Sequence, residues 1–212
     1  MTSKINLPNK LTIFRLILFI PLLVLFISYK LIQFYIDYYY IMLGRIILSG
    51  ILTIFLIGMI TDYFDGKIAR KHNMVTSFGK LWDPLADKIV VTSTLIFLGA
   101  ENFIPLWIVI VFVIRDLIVD GSRVMMAEKN IGVEASIWGK MKTLFQTFAI
   151  IIILIIAISF NYPYELHSYI EKKPVVQLCI YCINIVTLVA LFFSVYSGIL
   201  YVKKIVPHLQ MS

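Results

Sequence analysis

Charge is scarce in this chain. Of its 212 residues only 15% are Asp, Glu, Lys or Arg, whereas 60% are hydrophobic and the mean hydropathy is +0.92. A soluble domain carries about 25% charged residues, so a globule covered by water is excluded. A disordered chain is excluded as well, because disorder requires low hydrophobicity. Cysteine is limited to Cys179 and Cys182, spaced as CxxC in the apolar run LCIYCINIV. A redox or zinc role needs polar surroundings and further ligands. Neither is there, and both thiols are read as facing lipid or a neighbouring helix. Acids are few, 12 against 19 bases, for a formal charge of +7. In a soluble chain that excess would point to nucleic acid. In one this apolar it reads as basic residues gathered in cytoplasmic loops and at the anionic leaflet, and no nucleic-acid partner is expected. Repeats, low-complexity tracts and linkers are also missing, so a single domain over 1–212 is expected.

Long apolar runs take their place. A bilayer core of about 30 Å needs about 20 apolar residues, and six runs qualify: 11–29, 41–60 (continuing as helix to about 70), 84–100, 104–119, 141–160 and 175–202. The expected fold class is therefore an all-α integral membrane protein with six transmembrane helices. The first run follows a basic start but has no small-residue cleavage site after it, so it reads as a retained span. The segment before it, KINLPNKLTIFR, mixes apolar and basic residues. That pattern fits a short interfacial helix and a disordered leader equally. Six spans put both termini on one side. With the N-terminus in the cytoplasm, fifteen of the nineteen Lys and Arg fall on the cytoplasmic side, which fixes the orientation. Trp82, Trp107 and Trp138 lie near span ends and read as interface anchors. His72, His167 and His208 are scattered, without partners at ligand spacing.

Four of the chain's seven aspartates fall in one window, TDYFDGKIARKHNMVTSFGKLWDPLADK. Asp62 and Asp65 are three apart at the end of the second span; Asp83 and Asp87 are four apart at the start of the third. Both spacings place a pair on one helix face, and a short turn makes the two helices antiparallel neighbours. Carboxylates at a membrane edge are costly unless paired or coordinating. A hard divalent cation, Mg2+ or Mn2+, held by oxygen ligands accounts for all four. The plainer reading pairs them with Lys67, Arg70, Lys80 and Lys88; it suits any one aspartate better than it suits four at these spacings. Gly66, Ala69 and Gly79 are small enough for a ligand to approach backbone closely, although close helix packing asks for the same residues. Arg70 is a fixed cation suited to phosphate. Pro84 places the start of the third helix at or just before Asp83, or a bend there.

The pattern Asp62-x-x-Asp65-Gly66-x-x-Ala69-Arg70, then eight residues, then Gly79-x-x-x-Asp83-x-x-x-Asp87 resembles the signature of the CDP-alcohol phosphotransferase family at all eight fixed positions. The resemblance covers most of the chain, because six spans with this window after the second is that family's layout. It implies transfer of phosphatidate from CDP-diacylglycerol to an alcohol with release of CMP. It also implies roles: Asp62, Asp65 and Asp83 match metal ligands, and Asp87 matches the general base, with a place beside a second metal. Gly66, Arg70 and Thr76 match positions that hold the CDP moiety, with Ala69 and Gly79 counted beside them. Asn9 and Thr12 match an N-terminal segment near the nucleotide. A homodimer, a plasma-membrane location and an active site facing the cytoplasm belong to the same implication. The stretches NLPNKLTIFR, KLWDPLADK, RDLIVDGSRV and SIWGKMKTLFQ resemble the bacterial phosphatidylglycerophosphate synthase branch. Two places depart from it: Arg115-Asp116 stands where Arg-Glu is usual, and Asp120-Gly121-Ser122-Arg123 where Ser-Gly-x-Arg is usual.

The residues allow that chemistry. Divalent cations would neutralise charge building on the phosphates, and a carboxylate beside them can take the proton of the attacking hydroxyl. Asp87, one turn deeper than Asp83, is placed for it, although spacing alone leaves open which aspartate is the base. Arg115, Arg123, Lys140 and Lys142 form a basic face on the same predicted side, diluted by Asp116, Asp120 and Glu128. Such a face suits an anionic acceptor such as sn-glycerol 3-phosphate, with Ser136 and Gln146 as helpers. Other acceptors (phosphatidylglycerol, serine or an inositol derivative) are the alternative within this chemistry. A transporter with an acidic cation site is the alternative outside it, but transporters place such acids near the bilayer midplane.

Overall fold

In a computed structural model, the structure describes residues 7–35, 40–71, 77–128, 137–160 and 174–208. Among them every regular element is a helix: α1 (Leu7–Tyr35), α2 (Tyr40–Lys71), α3 (Ser77–Ala100), α4 (Leu106–Glu128), α5 (Ile137–Phe160), α6 (Pro174–Ile183), α7 (Ile185–Ile205) and a 3-10 turn at Val206–His208. The chain divides into two units, Met1–Phe97 with Leu154–Tyr162, and Leu98–Ile153 with Pro163–Ser212.

α1 explains why the chain belongs in lipid. Ile17, Ile20, Val24, Ile27 and Leu31 are exposed at helical spacing, whereas Arg15, Leu22 and Tyr29 are buried on the other face. An exposed aliphatic stripe this long would be an aggregation site in water. In a bilayer it is the surface that meets acyl chains. The hydrophobic effect cannot then drive helix against helix, and close packing does so instead. At Gly50 on α2, a Cβ would lie 3.2 Å from Leu25 Cδ1 on α1, so the absent side chain is what lets the two helices touch. Phe26 stacks on Phe97 at 4.4 Å between ring centroids and Tyr29 meets the same ring edge-on at 5.5 Å, which docks α3 on α1.

Among the described residues, four helices are long and apolar enough to cross a bilayer: Asn9–Gln33, Ile41–Phe64, Ile137–Phe160 and Ile185–Lys203. They correspond to the first, second, fifth and sixth expected spans. The third and fourth are helical but differ in kind. In α3 the apolar stretch is Lys88–Ala100, about 20 Å at the helical rise and short of the hydrocarbon thickness. In α4, Arg115, Asp116, Asp120 and Arg123 interrupt the apolar run.

Two further expectations are corrected. The third helix begins at Ser77, not at Asp83, so Pro84 lies within α3. A proline removes one backbone hydrogen bond, and membrane helices tolerate that where neighbouring groups satisfy the freed carbonyl. The sixth run is not one helix but two, divided at Asn184 with φ −89° and ψ 15°. The cause is the asparagine amide. Buried Nδ2 donates to Ile180 O at 3.0 Å on its own helix and to Phe103 O at 3.1 Å in the α3–α4 turn. Asn184 Oδ1 accepts from Thr187 Oγ1 at 3.3 Å. The break therefore doubles as the pin between α6–α7 and that turn. In the turn itself Asn102 adopts φ 60°, a left-handed conformation that asparagine tolerates, and Phe103 N–H closes on Leu98 O at 2.8 Å.

Further along, Val119 and Met126 of α4 bury against Tyr201 and Ile205 of α7. That contact sets α4 beside α7 and so positions the polar residues that α4 carries.

Candidate active site

Each unit holds one polar cluster. In the first, α1 and α2 run antiparallel, since early Arg15 meets late Asp62 while late Leu25 meets early Gly50. Arg15 is 0% exposed and donates from Nη1 to Asp62 Oδ1. Asp62 keeps 47% of its side chain exposed, and its second oxygen has no protein partner among the described residues. A buried guanidinium thus holds one oxygen of a carboxylate that stays about half exposed. Sequence reasoning missed Arg15 as that partner and proposed lysines and Arg70 from the same window. Lys67 instead lies over the Tyr63 ring, 5.8 Å from its centroid.

Helix continuity bears on the rest of the window. α2 is unbroken through Lys71, so Asp62, Asp65, Gly66, Ala69 and Arg70 all lie on one helix, with the two aspartates three apart. Gly79, Asp83 and Asp87 all lie on α3. The side chains of Asp65, Arg70, Asp83 and Asp87 fall outside the described residues, as does Thr76 altogether. Thr12 is buried and Asn9 half-buried on the first turns of α1, and both have bonded partners.

The second cluster centres on Asp116. Lys142 Nζ, from α5, donates to Asp116 Oδ1 at 2.9 Å and Oδ2 at 2.8 Å. Arg115 Nη1 donates to Asp116 Oδ1 at 2.8 Å. The same guanidinium reaches α7, with Nε donating to Ser194 O at 3.0 Å and Nη2 to Ser197 Oγ at 2.6 Å. Gly198 makes room for it: a Cβ there would stand 3.1 Å from Arg115 Cγ. One carboxylate therefore ties three helices together through two cations. Only 16% of its side chain is exposed. Lys142 Nζ also lies 6.0 Å from the Phe112 ring centroid, at the outer edge of cation–π range.

The four expected acceptor cations thus differ in state. Arg115 and Lys142 are drawn in around Asp116. Arg123 and Lys140 are exposed, with Arg123 lying 5.6 Å from the centroid of the Tyr201 ring. Gln146 is buried one turn beyond Lys142 on α5, and Ser136 falls outside the described residues. Asp116 was counted in the sequence only as a charge that dilutes its neighbours; the i to i+26 pairing with Lys142 has no local signature. A cavity of about 360 Å³ runs beside Arg115 between α4 and α7. Its wall is aliphatic except for Arg115 and Lys203, which suits hydrocarbon and not a glycerol phosphate.

An open carboxylate on a helix with a second aspartate three residues on, and a basic cluster on a scaffold of apolar helices, are the parts a metal-assisted phosphoryl transfer needs. Comparison with known proteins gives the family. Residues 5–202 match the CDP-alcohol phosphatidyltransferase family. The chain belongs to that family. Among its relatives, the CDP-diacylglycerol–glycerol-3-phosphate 3-phosphatidyltransferase of Bacillus subtilis is 37% identical over 204 residues, covering 94% of each chain. The protein of the same description from Mycoplasma pneumoniae is 37% identical over 158 residues, 71% of this chain and 68% of its own. That from Rickettsia felis is 39% identical over 150 residues, 71% and 75% respectively. The chain is accordingly an α-helical phosphatidyltransferase rich in membrane-spanning helix.

Proposed function

We propose that this chain moves the phosphatidyl group of CDP-diacylglycerol onto sn-glycerol 3-phosphate, giving phosphatidylglycerophosphate and CMP. The observation that carries the reading is Asp62: an aspartate at the end of an apolar span, with one oxygen held by buried Arg15 and the other open. It stands first in an eight-position pattern that resembles this family's signature, and a relative matched over 94% of the chain carries the name of this activity.

The donor set is all oxygen, and Asp62 retains an uncommitted oxygen for a ligand, which fits a hard divalent cation. Asp62, Asp65, Asp83 and Asp87 would hold Mg2+ or Mn2+. When bound, the ion neutralises charge on the pyrophosphate and on the phosphate under attack. The protein's own residues do the rest. Arg15 keeps Asp62 in one rotamer. Gly66, Ala69 and Gly79 allow the nucleotide close to backbone, and Asn9, Thr12, Arg70 and Thr76 contact it. Asp87 takes the proton from the acceptor hydroxyl as that oxygen attacks the phosphate bearing diacylglycerol; CMP leaves. Arg115, Arg123, Lys140 and Lys142 receive the acceptor's phosphate. The basic bias of the sequence supports a six-span arrangement in the plasma membrane with this chemistry at the cytoplasmic face. One domain over 1–212, working as a homodimer, completes the reading.

The test is a membrane assay with labelled CDP-diacylglycerol and a panel of acceptors. Release of CMP with phosphatidylglycerophosphate as product, dependent on glycerol 3-phosphate and abolished by EDTA, is expected. Equal release with serine, or undiminished release in EDTA, would overturn it.

A further inference from the structure

Asp116 differs from Asp62 in having both carboxylate oxygens engaged. Both oxygens accept from Lys142, and Oδ1 also accepts from Arg115. A saturated carboxylate of low exposure cannot also serve as ligand or base. Yet the chain places it where it disfavours a purely apolar contact between α4, α5 and α7. We propose that Asp116 is a positioning residue: its carboxylate draws Arg115 and Lys142 into a fixed pair, so that the acceptor's phosphate meets a preorganised pair of cations rather than two flexible chains. This rests on the acceptor reading above.

Three observations support it. The first is charge. The Asp116 carboxylate lies against both Lys142 and Arg115, so neither cation faces the other uncompensated. Lysine and arginine brought together at the edge of a low-dielectric layer without that carboxylate would repel each other and bear the full penalty of desolvation. The second is constraint. Arg115 is held at three nitrogens: Nε by Ser194 O, Nη2 by Ser197 Oγ and Nη1 by Asp116. Ser197 Oγ in turn donates to Ser194 O at 3.0 Å, so it is itself oriented. The guanidinium plane is thereby fixed, and Nη1 and Nη2 each retain an N–H with no partner among the described residues. Two parallel N–H groups in a fixed plane are the fork that grips a phosphate. The third is contrast within α5. Lys140 and Lys142 are two apart and point to different sides, one exposed and one nearly buried. Only the lysine that reaches Asp116 is drawn in.

The experiment uses the purified full-length chain in lipid–detergent micelles, with CMP release read against glycerol 3-phosphate and CDP-diacylglycerol separately. Asp116→Asn keeps the shape and removes the charge. It should raise KM for glycerol 3-phosphate about tenfold while KM for CDP-diacylglycerol stays within about twofold. Asp116→Glu should recover most of the loss. Ser197→Ala, which frees one anchor of Arg115, should shift the same constant about threefold in the same direction. A merely structural carboxylate would lower the melting temperature and move both constants together, and that result overturns the proposal. So does an Asp116→Asn enzyme with unchanged kinetics. Should Asp116→Asn fail to elute as a folded species, the Ser197→Ala split decides by the same criterion. A wild-type chain that ignores glycerol 3-phosphate overturns the acceptor reading and this proposal with it. A wild type that uses it, with variants that do not separate the two constants, overturns the positioning role alone.

Discussion

Asp62 and Asp116 are the same residue in opposite circumstances. Each sits on an apolar helix and meets an arginine. Asp62 gives one oxygen to a buried Arg15, keeps the other open and remains about half exposed. Asp116 gives both oxygens away, to Lys142 and Arg115, and is nearly enclosed. A carboxylate held at one oxygen is oriented but still able to bind; one held at both can only organise its partners. On the proposed function, the first kind of carboxylate suits a cation ligand and the second suits the ordering of two cations.

The largest expected effect follows from removing the open oxygen's charge. Asp62→Asn should cut turnover by about a hundredfold or more with the folded fraction unchanged by size-exclusion chromatography. A variant that turns over normally would reduce Asp62 to an ordinary ion pair. The second cluster should respond in stability as well as in KM for glycerol 3-phosphate. Lys142→Met leaves Asp116 with only Arg115, and removing one member of a buried pair costs about 3 kcal/mol, visible as a lower unfolding midpoint in detergent. An unshifted midpoint would mean that Asp116 is solvated in the membrane. Lys140 sharpens the same contrast, because it lies two residues away and is exposed. Lys140→Ala should raise KM for glycerol 3-phosphate by about threefold and leave the unfolding midpoint in place. An effect on stability alone is expected at the break between α6 and α7. Asn184→Ala removes three hydrogen bonds and leaves Phe103 O with one partner fewer, so stability should fall by about 1 kcal/mol with activity retained.

Much of this was legible in the amino-acid sequence, and what was not shares one cause. Apolar periodicity marks helices, and i, i+3 and i, i+4 spacing marks which side chains share a face. Hence the all-helical fold could be read directly, as could the placing of Asp62 and Asp65 on one helix and of Asp83 and Asp87 on the next. Spacing along one helix says nothing about the neighbouring helix. Arg15 lies 47 positions from Asp62 and reads in isolation as one more basic residue at the start of a span. Asp116 beside Arg115 reads as local neutralisation until α5 delivers Lys142. Helix limits failed for a related reason. Pro84 argued for a start at or just before Asp83, or a bend there, because a proline weakens a helix interior; α3 extends back to Ser77. Asn184, a polar residue within a long apolar run, was the available sign of a break; it takes effect only because Phe103 O is there to accept.

The measurement closest to the central claim is Mn2+ binding to the purified chain, followed by electron paramagnetic resonance without substrate or turnover. Wild type and Asp116→Asn should bind the ion alike, and Asp62→Asn should lose it. Equal binding by Asp62→Asn and wild type, or none by wild type, would contradict the assignment of the open carboxylate as a ligand.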